Sequence, residues 1–256
     1  MAQVTPSHRL FDLTGEVALV TGASSGLGRR FAQVLAAHGA KVVAAARRTD
    51  RLAELAQQGS GIAPLALDVT ATGRMAAALD EAESHFGPLT LLVNNAGVAS
   101  GRRILDTPEE DWAAVQRTNV DSVWHLSRAF AERLVARNSP GTIINIASLL
   151  AEKVSVSSAA YAVSKAAVLH MTKAQAMEWA RHQIRVNAIC PGYITSEMTE
   201  DYLASPAGQD MVKRIPQRRV GEPSDLDGAL LLLASSRASG FMTGASLRID
   251  GGHALA

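Results

Sequence analysis

Thr21-Gly22-Ala23-Ser24-Ser25-Gly26-Leu27-Gly28 stands between an apolar run, Val17–Thr21, and a stretch over 25–38 that carries Leu27, Phe31, Val34 and Leu35 at helical spacing. The apolar run reads as a strand and the stretch as a helix, ended by Gly39. Glycines at such a junction allow a tight turn and a close backbone approach to a ligand. The helix start then offers free N–H groups and a partial positive charge, which suits a pyrophosphate. The spacing is GxxxGxG, and no Gly-Lys-Ser/Thr follows, so the turn is not a P-loop. Taken alone, the motif is weak evidence and also fits a tight turn with no ligand.

Outward from this junction, strand-like and helix-like runs alternate. Strands are expected at Lys41–Ala46, 62–67, 89–93, 142–146, 185–189 and Ser246–Ile249, and helices at 50–58, 73–86, 159–181 and 223–234. Another helix is expected to start with Thr107 as cap and Pro108 in first position, with Glu110 three residues after Thr107, and to run to about Arg137. Continuous apolar strands separated by helices predict a doubly wound α/β Rossmann fold, with a seven-stranded parallel sheet covered by helices on both faces. The expected organisation is one dinucleotide-binding domain over 1–256, in which the polar stretch 192–219, with Pro206, Gly208 and Pro216, is a substrate lid.

Composition narrows the class. Of 256 residues, 47% are hydrophobic and 19% charged, enough apolar side chains for a large core. Lys plus Arg is 25 against 24 for Asp plus Glu, so the basic surplus that nucleic acid or an anionic membrane requires is missing. The single cysteine, Cys190, excludes an intrachain disulfide and a CxxC metal site, and reads as a small buried residue. The seven histidines have no metal-ligand spacing, so no metal is expected. The apolar runs are short and the first fourteen residues lack an apolar signal region, which predicts a cytoplasmic chain.

Two further signals fall at expected carboxyl ends of strands, where doubly wound sheets bind ligands. Asn94-Asn95-Ala96-Gly97 follows the fourth strand, although taken alone it reads better as a plain Asx-Gly turn. Ser148 follows the fifth, and Tyr161-Ala162-Val163-Ser164-Lys165 lies on the next helix. Tyr161 and Lys165 share a helix face. A tyrosine near pKa 10 is a poor base, and a nearby lysine cation is expected to move it toward neutrality. An exposed Tyr/Lys pair is common on helices and is not catalytic by itself.

In this order, the glycine turn, Asp68, Asn94-Asn95-Ala96-Gly97, Asn119, Ser148, Tyr161, Lys165 and Pro191-Gly192 resemble the short-chain dehydrogenase/reductase family, in its compact single-domain branch. The likeness runs over 13–252. It implies an NAD(P)-dependent oxidoreductase interconverting a secondary alcohol and a ketone, as a 3-oxoacyl reductase or related carbonyl reductase does. Tyr161 is then the general acid/base, Ser148 holds the substrate oxygen, Lys165 holds the nicotinamide ribose, and Asn119 orients a water linked to Lys165. Gly22, Ser24, Ser25, Gly26, Leu27 and Gly28 would line phosphates and ribose. Asp68 and Val69 would meet the adenine, and Asn95, Ala96 and Gly97 the ribose side. Pro191, Gly192, Ile194 and Ser196 would contact the nicotinamide, with Ser196 at the family's usual threonine. The resemblance also implies a homotetramer.

The stretch after Ser148 is bulkier than is usual in the family. Leu150, Glu152, Val154, Tyr193 and Met198 are expected around the substrate, and acyl thioesters, steroids, sugars and small hydroxy ketones all remain open. NADP(H) is expected to be preferred, with NAD(H) usable. Ala46 replaces the carboxylate that meets an NAD ribose, and Arg47 and Arg48 follow it. Against this, Ser25 stands where many NADP-preferring relatives place a second basic residue. The rival readings are a dinucleotide-binding scaffold or sensor without turnover, which would not need Ser148, Tyr161 and Lys165, and a dehydratase or epimerase, which the compact length disfavours.

Overall fold

Seven parallel strands form one sheet in the order β3-β2-β1-β4-β5-β6-β7. They are β1 (Val17–Thr21), β2 (Lys41–Ala46), β3 (Ile62–Ala66), β4 (Leu91–Asn94), β5 (Gly141–Ile146), β6 (Ile184–Pro191) and β7 (Ser246–Ile249). This computed structural model describes residues 6–59 and 61–256, so the first five residues of the polar N-terminal stretch lie outside the described residues. Among the described residues, no helix is long and apolar enough to cross a membrane, and no His/Cys/Asp/Glu group has the arrangement to hold a metal.

The strand order reverses beside β1. From β1 the chain moves outward through β2 to β3, then returns to place β4 on the other side of β1. β1 and β6 are buried along their whole length; β1 runs apolar up to Thr21, while β6 also buries Arg185 and Asn187, whose side chains donate to Leu233 O and Met242 O. β3 is an edge strand and so tolerates Pro64, which has no N–H to give a second neighbour. β7, the other edge, is partly exposed.

The helices are α1 (Ser7–Leu10), α2 (Gly26–Ala37), α3 (Thr49–Gln57), α4 (Met75–Phe86), α5 (Glu109–Gln116), α6 (Ser122–Arg137), α7 (Ala159–Trp179), α8 (Glu200–Ala204), α9 (Pro206–Val212), α10 (Asp227–Ala234) and α11 (Ser236–Ser239). Two apolar layers lie against the sheet. One gathers Phe31, Leu35, Val42, Ile144 and Leu230, and the other Leu79, Leu92, Phe130, Ile143 and Val186. Fully burying side chains of this size contributes about 1.5–3 kcal/mol each.

Three local readings are corrected. The fourth strand is Leu91–Asn94 rather than 89–93: Leu89 is buried without joining the ladder, and polar Asn94 belongs to the strand because Ser127 and Asn145 satisfy its amide. Thr107 does not cap α5, since its hydroxyl donates to Arg103 O at 2.8 Å and Pro108 takes the cap position. The long helix to Arg137 is interrupted by a π-helical turn at Arg117–Asp121. The polar stretch 192–219 holds α8 and α9, the second begun by Ser205, whose Oγ accepts from Gly208 N at 3.1 Å.

Candidate active site

A cleft of about 450 Å³ opens along the carboxyl ends of β1, β2, β4, β5 and β6, at the reversal of strand order. One end is the glycine turn. Gly22 has φ +68°, and a Cβ there would come within 2.8 Å of Asn95 Nδ2 and 2.9 Å of Ala96 Cα. Asn95 in turn donates to Thr21 O at 2.9 Å, fastening the turn to the end of β4. Gly28 is placed differently from expectation. It lies behind the turn rather than in the cleft, and a Cβ would strike Gly22 O at 2.3 Å, so this glycine serves close packing.

Ser24, Ser25, Gly26 and Leu27 line the cleft. Ser25 precedes α2 but gives its first N–H groups no side-chain cap, and the first turn of α2 carries no acid. Uncapped donors and the helix dipole at a cleft wall fit a pyrophosphate. Ala46, Arg47 and Arg48 line the same end. Arg48 lies on the glycine turn, Nε donating to Ser24 Oγ at 3.1 Å and Nη2 to Ser25 Oγ at 2.5 Å. The basic group absent from position 25 is thus supplied across the cleft mouth. Asp68 and Val69 follow β3 on the same wall. Backbone and hydroxyl donors of Thr70, helped by the Arg47 charge, hold Asp68 below the usual carboxylate range. These donors and the missing acid at 46 suit a dinucleotide with a ribose phosphate.

The other end is built by β5 and α7. Ser148 is buried just beyond β5, where its Oγ accepts from Leu150 N at 3.1 Å and caps the short 3₁₀ turn Leu149–Ala151, and it lines the cleft. Tyr161 and Lys165 project from one face of α7 into the same space, with Lys165 Nζ 5.6 Å from the Tyr161 ring centre. Lys165 is buried and donates to Ile146 O at 2.7 Å. Burial pushes its pKa down to about 8. Burial also raises the Tyr161 phenol, opposed by the Ser148 hydroxyl beside it. The expected move of Tyr161 toward neutrality through Lys165 is therefore not what this structure shows: desolvation is the largest effect on both groups.

Asn119 is fully buried on the π-helical turn. Its Oδ1 accepts from Val98 N at 2.9 Å, while Nδ2 donates to Val98 O and to Ser164 Oγ, each at 2.9 Å. The amide thus braces the chain after β4 against α7, and both its donors are engaged there instead of facing a solvent path. Gly97 keeps this corner open, since a Cβ there would lie 3.3 Å from Asn119 Oδ1 and 3.5 Å from Lys165 Nζ. Ala96, Pro191, Gly192, Ile194 and Ser196 complete the cleft wall.

The substrate-side expectations divide. Met198 lines the cleft. Leu150, Glu152, Val154 and Tyr193 do not. Leu150 is partly exposed, and Val154 is 86% exposed. Glu152 turns away to pair with Arg248, and Lys153 donates to His253 O at 2.9 Å. Tyr193 stacks on Tyr202, ring centres 5.5 Å apart, and lines a second cavity of about 360 Å³ with Ile215 and Arg248. Val98, Thr118, Glu197 and Thr199 line the cleft and were missed. Val98 follows directly on a motif that was read, but nothing in the sequence marks Glu197. Cys190 is buried, and its thiol is pushed up to about 11, which makes it unreactive.

Comparison with known proteins agrees with this arrangement. A family model described as Enoyl-(Acyl carrier protein) reductase, of the short-chain alcohol dehydrogenase type, matches residues 22–254. The chain is 38% identical to 2-dehydro-3-deoxy-D-gluconate 5-dehydrogenase of Escherichia coli K12, over 94% of this chain and 96% of the relative. It is 39% identical to galactitol 2-dehydrogenase (L-tagatose-forming) of Cereibacter sphaeroides, over 96% and 98%. The crystal structure of a gluconate 5-dehydrogenase from Burkholderia cenocepacia, in complex with NADP and tartrate, superposes with a TM-score of 0.93 at 34% identity, covering 98% of this chain and 100% of that one. Fold and cleft define an oxidoreductase of CH–OH and C=O groups. The chain belongs to the short-chain dehydrogenase/reductase family.

Proposed function

We propose that this protein is an NADP(H)-dependent dehydrogenase/reductase that interconverts a secondary alcohol and a ketone on a polyhydroxylated small molecule, a polyol or sugar acid. The observation that carries the reading is the convergence of Ser148, Tyr161 and Lys165 in one cleft with an uncapped helix start and Arg48 at its far end. The substrate class is supported by the relatives, which act on a sugar acid and on galactitol. NADP(H) is supported by Arg47 and Arg48, by the missing acid at 46, and by the NADP complex of the Burkholderia structure.

The bound nicotinamide supplies and accepts the hydride. The protein's residues handle the rest. The Ser148 hydroxyl holds the substrate oxygen beside the Tyr161 phenol. Tyr161, kept neutral by burial, gives its proton to that oxygen when a ketone is reduced, and takes one back in the reverse direction. Lys165, anchored on Ile146 O, places a cationic or hydrogen-bonding group under the ring. Asn119 fixes the spacing between Val98 and α7. A scaffold or sensor would need none of these groups.

The segment 192–219 is read as the substrate lid of a single domain. A homotetramer built through α5, α6, α7 and β7 is supported by half-exposed Trp124 and Val163 and by Met177, 87% exposed. The cytoplasm suits a chain whose one cysteine is buried and unpaired. The test is turnover, followed by nicotinamide absorbance with each cofactor, on gluconate, 5-ketogluconate, galactitol and an acetoacetyl thioester. Turnover of a sugar acid or polyol with NADP(H) is expected. Turnover of the thioester alone would replace the substrate class, and no turnover on a broad ketone panel would favour the scaffold.

A further inference from the structure

The chain beyond β6 reaches back to the far end of the cleft. Thr199 fixes the turn there: its Oγ1 donates to Ile194 O at 2.7 Å and accepts from Ser196 N at 3.1 Å. Between Ser196 and Met198, Glu197 extends its carboxylate to the two arginines that follow β2. Oε2 accepts from Arg48 Nη1 at 3.1 Å, and Oε1 accepts from Arg51 Nη1. Arg48 at the same time holds Ser24 Oγ and Ser25 Oγ. Glu197, Arg48, Ser24 and Ser25 line the cleft, and Arg51 does not.

A carboxylate therefore stands among the donors that suit a ribose 2′-phosphate. Hydrogen bonds from Arg51 and Arg48 hold its pKa down at about 2, so it is charged at any working pH. Two anions on one guanidinium repel each other, and each draws on the same fork of N–H donors. Arg51 gives Glu197 a second partner outside the cleft. The segment can thus stay docked while Arg48 changes partner.

The geometry points to Glu197 as an internal anion that competes with the 2′-phosphate of NADP(H) for Arg48, and so sets how strongly the protein distinguishes NADP(H) from NAD(H). This rests on the NADP(H) reading above. Glu197 comes from the segment that carries Met198, yet it acts at the opposite end of the cleft, as a specificity-determining residue.

Calorimetric titration of adenosine 2′,5′-bisphosphate and of 5′-AMP into wild type, Glu197→Gln and Arg48→Ala tests this without catalysis. Glu197→Gln is expected to bind the bisphosphate about two- to fivefold more tightly, the scale of exposed charge pairs, with 5′-AMP unchanged. Glu197→Asp keeps the charge and should behave as wild type, and the gain should shrink at high salt. Weaker bisphosphate binding by Glu197→Gln, or an equal shift for both nucleotides, overturns the competition. The cofactor reading is judged separately. If wild type binds 5′-AMP as tightly as the bisphosphate and Arg48→Ala alters neither, that reading falls. If wild type prefers the bisphosphate through Arg48 but Glu197→Gln leaves the preference unmoved, only the competition falls.

Discussion

At the Tyr161 end of the cleft the reactive groups are enclosed by protein, whereas at the Arg48 end they stand in solvent. Lys165 is 4% exposed, and its partner is a backbone carbonyl. The side chains of Arg48 and Glu197 are 43% and 53% exposed and are partnered by charge. Burial dominates the proton affinities at the first end, and ion pairs dominate them at the second. The first end should therefore respond to pH and hardly to salt, and the second to salt and hardly to pH near neutrality.

The largest effect expected is at the enclosed end. Tyr161→Phe removes the proton donor and keeps the ring, so kcat should fall by about 10²- to 10⁴-fold, the usual contribution of general acid–base catalysis. Nucleotide binding, measured calorimetrically, should persist. A variant retaining near wild-type turnover would break the assignment of chemistry to this end.

Lys165 sharpens the contrast through stability. Its pKa is near 8 in the fold and near 10.5 for an unperturbed lysine. Between these values the unfolded chain binds more protons than the folded one, so stability rises with pH across that window. The destabilisation is fully present below about pH 8 and is relieved as pH climbs toward 10.5. Relative to Lys165→Met, wild type should gain up to about 3 kcal/mol over this range. Urea midpoints at stepped pH measure it, and parallel curves for the two proteins would mean that burial does not govern this group.

At the solvent end, Arg48→Ala should raise KM for NADP(H) by about tenfold at low ionic strength, a charge-assisted hydrogen bond discounted for exposure, and leave kcat nearly unchanged. Added salt should erode the difference. A salt-independent loss, or a fall in kcat, would show the two ends to be less separate than their burial implies. The smallest effect belongs to Val154→Ser, which should change KM and kcat by less than about twofold, as is usual for exposed positions away from specific contacts.

Much of this architecture could be read from residues alone, for a physical reason. Strands covered on both faces have no polar alternation, so β1 and β2 announce themselves as apolar runs. Ligand groups at strand ends then follow from topology, which is why Ser148, Tyr161 and Lys165 meet as expected. Asn94 was misplaced because a buried amide is tolerated only through partners, Ser127 and Asn145, distant in sequence. Glu152 and Val154 were assigned to the substrate because residue type says nothing about the direction of a loop. That direction is set here by Arg248, and by the C-terminal carbonyls that hold Lys153. Glu197 was invisible for the same reason, since its meaning lies in two arginines about 150 positions away.

The wide turn at Arg117–Asp121 has a consequence for how this protein can change over generations. Each residue added to or taken from a helix rotates everything beyond it by about 100°. Val115 before the turn and Leu126 and Phe130 after it are already committed to the interior, and Asn119 between them is committed to Val98 and Ser164. Substitution at exposed Arg117 or Asp121 disturbs none of these commitments, whereas removing a residue closes the wide turn that presents Asn119. In this stretch length should be inherited more faithfully than composition. A library of one-residue deletions should survive in the surface loops and vanish between 116 and 122.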